Sequence, residues 1–183
     1  SAEIITSLMA VFAIGQLIST PLWGWLSDRI GRKPVFLLSL VGGGVSYVLL
    51  AFADSVMLLL WSRLIGGLMT GVAGVAFAAI TDLTEPGPQR AQGLGRIGAS
   101  LAFGFMFGPA LGGLLAGNEA ATADYTMIAL VAGTMDVFAL LLAAVALQET
   151  LPKAARSAVR FGGRVDWSRP VTLLTHRPML LLG

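Results

Sequence analysis

Cysteine is absent from the 183-residue sequence, and His176 is its one histidine. Disulfides and thiolate metal sites are thereby excluded, and a single imidazole cannot build a metal site alone. Charge is also scarce. Asp, Glu, Lys and Arg make up 12% of the residues, where soluble domains carry about 25%. The sequence has no phosphate-binding loop, no metal-ligand cluster and no Ser/His/Asp set, so an enzymatic reading finds no support and no cofactor is expected.

What replaces charge is apolar bulk: 56% of the residues are hydrophobic and the mean hydropathy is +0.82. Five apolar runs occupy roughly positions 4–25, 35–52, 56–80, 99–117 and 125–147. Each is near the ~20 residues that a helix rising 1.5 Å per residue needs to cross about 30 Å of hydrocarbon. An all-α, polytopic bundle in the lipid bilayer is expected, with residues 1–151 as its spanning part. A further run starts within 171–183. No charged region or small-residue cleavage site precedes the first run, so it is not a secretory signal, and Ser at position 1 suggests a piece of a longer protein.

The bases fall on one side. Arg29, Arg32 and Lys33 follow the first run, Arg90 and Arg96 flank the turn after the third, and Lys153, Arg156, Arg160, Arg164, Arg169 and Arg177 follow the fifth. The other turns, around Asp54 and over 118–124, hold acids only. The positive-inside rule makes the basic side cytoplasmic. It also accounts for the pI near 9.5 without nucleic acid as a partner. The stretch 152–170 is expected to be a basic cytoplasmic linker. Its bases among apolar residues suit either the anionic inner leaflet or, given Gly162, Gly163 and Pro170, a flexible connection.

Two charges lie inside runs. Arg63 stands seven residues into the third, where insertion of an arginine costs about 2.5 to 3.5 kcal/mol, so a buried partner or a wet cavity is expected. The plain alternative is an arginine snorkelling to the outer interface beside Trp61. Asp136 lies near the middle of the fifth run, and its plain alternative is a neutral acid hydrogen-bonded between helices. In the fourth run Gly104, Gly108 and Gly112, with Gly113 and Gly117, leave one helix face almost bare, a surface on which another backbone can pack. Pro109 removes an amide there and predicts a kink. Gly67 and Gly71 read as an ordinary packing pair. Asp54 with Ser55, and Asp124, stand as N-caps, and Trp23, Trp25 and Trp61 fit aromatic belts.

The stretch GWLSDRIGRKPVF, with Gly24, Leu26, Asp28, Arg29, Gly31, Arg32 and Lys33, resembles the signature that the major facilitator superfamily carries between its second and third helices. Phe36 replaces a usual leucine. LLWSRLIGG resembles the family's fourth-helix motif through Arg63 and Gly67, with Gly66 and Met69 departing from it. GFMFGPALGGLL, through Gly104, Gly108, Pro109, Gly112 and Gly113, resembles the fifth-helix motif of the drug:proton antiporter branch, and LQETLP its sixth-helix exit.

The resemblance implies that the five runs are helices 2 to 6 of a partial N-terminal half, to be completed by helices 1 and 7 to 12 of the same transporter. It implies proton-coupled efflux of small amphiphilic molecules by alternating access across the cytoplasmic membrane, driven by the proton gradient, with tetracycline and multidrug exporters the nearest in context. A symporter or uniporter for a nutrient, or a truncated membrane module that does not transport, are the competing readings. The opening motif then serves as a gate, with Asp28 near a helix amino end in the opposite half and Arg29 or Arg32 paired to Asp82. Its plain alternative is that the bases only set topology. Arg63 and Asp136 become candidates for proton coupling, Arg63 by favouring proton release from an acid nearby. The glycine and proline face of the fourth run would control how tightly the two halves close.

Overall fold

The computed structural model describes residues 2–116, 125–152 and Arg156. Six helical segments follow one another: α1 (Ala2–Ile30), α2 (Arg32–Ala51), α3 (Val56–Thr70), α4 (Ala73–Leu83), α5 (Pro88–Ala116) and α6 (Tyr125–Ala146). Among the described residues they make five helices long and apolar enough to cross a membrane, with α3 and α4 together forming the third. The helices are apolar on nearly all sides, and Phe105 and Val145 are 81% and 87% exposed. Side chains so placed need hydrocarbon around them, and helices satisfy their own backbone there.

Close backbone contact holds α1 to α3. A Cβ on Gly15 would stand 3.0 Å from the Leu64 carbonyl oxygen, one on Gly67 would meet the Phe12 carbonyl, and one on Gly71 would meet the Ser19 side chain. Small residues thus set this crossing by letting two backbones touch, which is how helices associate when lipid removes the hydrophobic drive. The packing role expected for Gly67 and Gly71 is the role they occupy. Helix α2 packs between α3 and α6, and α5 packs against α4 and α6.

Two span boundaries and the placement of one tryptophan differ from the sequence expectation. The third span is broken at Gly71 and Val72, where α3 stops and α4 begins. The fourth starts at Pro88 rather than near 99, so Arg90 and Arg96 lie on the helix itself. The residues 88–98 are polar enough to lie beyond the hydrocarbon yet still helical, a distinction that hydropathy does not draw. Trp23 is a core residue rather than a belt residue. It packs with Val35 and Val75 and donates its indole N–H to the Leu68 carbonyl at 2.5 Å, an oxygen close to the broken turn where helical donors run out. Helix α5 continues through Pro109. Ser55 caps α3 by accepting from the Leu58 amide. Asp124 and Gly117, the linker 152–170 apart from Pro152 and Arg156, and the run 171–183 lie outside the described residues.

Candidate functional site

One residue, Gly31, joins α1 to α2. Its φ of 110° lies where a side chain is strained, and its amide still closes the last turn of α1 on the Ser27 carbonyl at 3.1 Å. The turn brings Asp28 and Arg32 one helical step apart across the junction. It also leaves α2 with no side-chain cap of its own.

The cap comes from far along the chain. Glu149, just past α6, accepts from the Arg32 amide at 2.9 Å and the Leu151 amide at 3.0 Å. A Cβ on Gly31 would run into that carboxylate. Arg156 pairs with the same carboxylate at 3.2 Å. Burial opposes ionisation of Glu149, but the amides of Leu151 and Arg32, the Arg156 charge and the Lys33 amide outweigh it and hold the carboxyl below the usual glutamate range.

The Arg32 side chain ties two more elements to this point. Its Nε donates to Oδ2 of Asp82, at the end of α4, at 2.9 Å. Its Nη1 pairs with Oδ1 of Asp28 at 2.7 Å and donates to the Ser27 hydroxyl at 2.5 Å. With 7% exposure, Arg32 is the buried hub of the end it occupies. A guanidinium can do this because its donors point in fixed, diverging directions.

The neighbouring bases do different things. Lys33 donates to the Ala144 carbonyl at 2.8 Å, in the last turn of α6, where a cation suits the helix dipole. Arg29 lies 4.1 Å over the Trp25 ring, so Arg32 is the base that meets Asp82. Arg90 donates to the Thr84 and Thr81 carbonyls at the end of α4. Gly24 has open space around its Cα. Glu149 is the member of the cluster with no role expected from the sequence, because acids at span exits are not unusual there: Asp82 and Glu85 stand at the exit of the third span.

Arg63 and Asp136 are not brought together. The Asp136 carboxylate lies against α2, with Oδ1 3.3 Å from where a Gly43 Cβ would stand. Arg63 instead lines an open pocket of about 290 Å³ together with Ile5, Leu8, Met9 and Phe12 of α1. Its Nε and Nη2 are buried and have no hydrogen-bond partner among the described residues. On α5, a Cβ at Gly104, Gly108, Gly112 or Gly113 would meet nothing within 4 Å. That glycine face is open in this chain.

Five spanning helices, apolar outward and fastened at one end by buried charge, define a polytopic integral membrane protein. The model of the Major Facilitator Superfamily matches residues 1–183, and the chain belongs to that superfamily. The class G tetracycline resistance protein of Vibrio anguillarum is 40% identical over 144 residues, covering 79% of this chain and 35% of that protein. Major facilitator superfamily domain-containing protein 10 of Bos taurus is 36% identical over 168 residues, covering 90% of this chain and 35% of its own length. The crystal structure of the human organic anion transporter MFSD10 (TETRAN) superposes with a TM-score of 0.71 at 35% identity, over 83% of this chain and 34% of that one. The chain therefore spans about a third of the length of these relatives.

Proposed function

We propose that the chain forms part of a secondary active transporter that exports small amphiphilic molecules across the cytoplasmic membrane in exchange for protons, by alternating access, with the charged end facing the cytoplasm. The observation that carries this reading is the Arg32 hub, which gathers the α1–α2 turn, the end of α4 and the exit of α6 into one ion-paired unit. Alternating access needs a contact set that can hold one end of the bundle shut and be released as a unit, since packed elements switch between discrete states. Charged partners at a helix end suit that task better than apolar packing, because water can take over their hydrogen bonds once the contact opens. The tetracycline resistance relatives support efflux as the direction.

The open glycine face of α5 supports closure against helices outside this chain. Asp136 is the candidate proton carrier, since an ionisable group within a span is costly unless it serves a relay. The test is flux through the complete protein in proteoliposomes under an imposed proton gradient, with internal pH followed at the same time. Substrate is expected to move against the proton flow, and Asp136→Asn to remove the gradient dependence while exchange of substrate across the membrane continues. Flux in the proton direction would make the protein a symporter.

A further inference from the structure

The third span is two helices in line, and side-chain donors gather where they meet. At Gly71 and Val72 the ψ angles are −6° and −9°, where a continuous α-helix needs about −42°. The chain re-enters helix by a tighter step, with the Val75 amide on the Val72 carbonyl at 2.8 Å. No proline stands between Val56 and Leu83 to force the break.

A break within hydrocarbon frees carbonyls that water does not reach, so protein donors must meet them. Three successive carbonyls are met in this way. Thr70 Oγ1 shares its proton between Gly66 and Gly67 at 3.2 and 3.1 Å, Ser19 Oγ reaches Gly67 at 3.4 Å, and the Trp23 indole donates to Leu68 at 2.5 Å. A hydroxyl bonded back onto its own helix bends it, and an indole from another helix fixes where the bend falls. Ser19 and Trp23 are both buried, so these contacts lie inside the bundle of α1 to α4.

The two halves of the span answer to different partners. Gly71 closes the seam of α3 on α1, where an added Cβ would stand 2.8 Å from the Thr20 amide nitrogen, but a Cβ on Gly74 would meet nothing within 4 Å. Past the break, α4 turns to Arg32 through Asp82, and to α5, where its Ile80 lies against Gly93. Trp23 stands between the halves, with its N–H on α3 and its ring packed with Val75 of α4.

We propose that Gly71 and Val72 form a hinge pinned by Trp23, on which α4 swings with the charged end of the bundle while α3 stays seated on α1. Its role rests on the gating reading above, though its existence does not. A jointed span lets the Arg32 contacts part without opening the α1–α3 seam, which confines the motion to one end. Trp23 is then a positioning residue: it sets where the span bends.

Spin-label distances in the complete protein, held in lipid nanodiscs, test this without substrate or gradient. One nitroxide sits on Leu17→Cys of α1 and the other on Met57→Cys of α3 or Leu83→Cys of α4; all three side chains are exposed, and this chain has no cysteine to compete. Asp82→Asn breaks the Arg32 contact, and it is expected to shift or broaden the 17–83 distance by about 2 Å or more, the scale of helix shifts in switching proteins. The 17–57 distance should stay as it is. Trp23→Phe keeps an apolar ring and removes the donor, so it should broaden the 17–83 distance with Asp82 intact. Should that variant fail to fold, Thr70→Val removes the other donor at nearly equal size and carries the same expectation. If both distances move together, or neither moves, the span is one rod and the hinge is wrong; a 17–83 distance indifferent to loss of the donor overturns the pin. Proton-driven flux on the same preparation judges the transport reading separately, because the distances require no gradient.

Discussion

The main-chain amide of Arg32 donates to Glu149 Oε1 at 2.9 Å, joining residues 117 positions apart. It makes the start of α2 depend on the exit of α6. A helix start without its own cap is completed by an acid just past the end of another helix, so the two cannot separate without exposing orphan amides. Because the same residue's side chain reaches Asp28 and Asp82, backbone and side chain fasten four elements at one end.

Gly31→Ala should be among the more damaging single changes at that end. The added methyl meets the Glu149 carboxylate, and a φ of 110° is strained for alanine. A loss of about 1 to 3 kcal/mol is expected from strain of this kind. The thermal unfolding midpoint of the complete protein in detergent measures it; Gly24→Ala, which meets nothing within 4 Å, is the control.

Acid should loosen the α2–α6 tie. The folded-state pKa of Glu149 is depressed, so its contribution is fully present above the unfolded value of about 4.3 and is lost as pH falls below that through the lower folded value. Thermal midpoints measured from pH 7 down to about pH 3 should therefore fall more steeply for the wild type than for Glu149→Gln, which starts lower and has no such proton to take up. Equal slopes would remove Glu149 from the account.

Packing of α1 on α3 predicts a separate effect. A methyl on Gly67 would meet the Phe12 carbonyl, which is backbone and cannot rotate away. Gly67→Ala should cost about 1 to 3 kcal/mol through forced separation of the helices. Gly74→Ala, with open space at its Cα, should cost little. Thermal midpoints of the pair decide it.

The spans were legible because length and hydropathy alone dictate them: an apolar run of about 20 residues has few other places to go. Positive φ at Gly31 and the Arg32 partnership with Asp82 were within reach of the motif, which puts a glycine between two apolar runs and opposes an acid to bases across the turn. The break at Gly71 and Val72 was not, since no proline marks it and both sides are equally apolar. Trp23 misled for the same reason that it is useful: an indole is at home at an interface or in a core, and only the Leu68 carbonyl near the break, which its N–H reaches, decides between them. Glu149 was not legible, since Asp82 and Glu85 also stand at a span exit and the partner of Glu149 is a backbone amide, which no side-chain pattern announces.

The central claim is that Arg32 and Asp82 act as one clamp, and a double-mutant cycle on transport tests it most directly. Initial efflux rates of the complete protein in proteoliposomes would be measured for wild type, Arg32→Ala, Asp82→Ala and the double variant. If the 2.9 Å contact is the working unit, each single change should cost about what the double change costs, leaving a coupling of about 0.5 to 3 kcal/mol. If the two losses simply add, the residues act apart and the clamp is wrong.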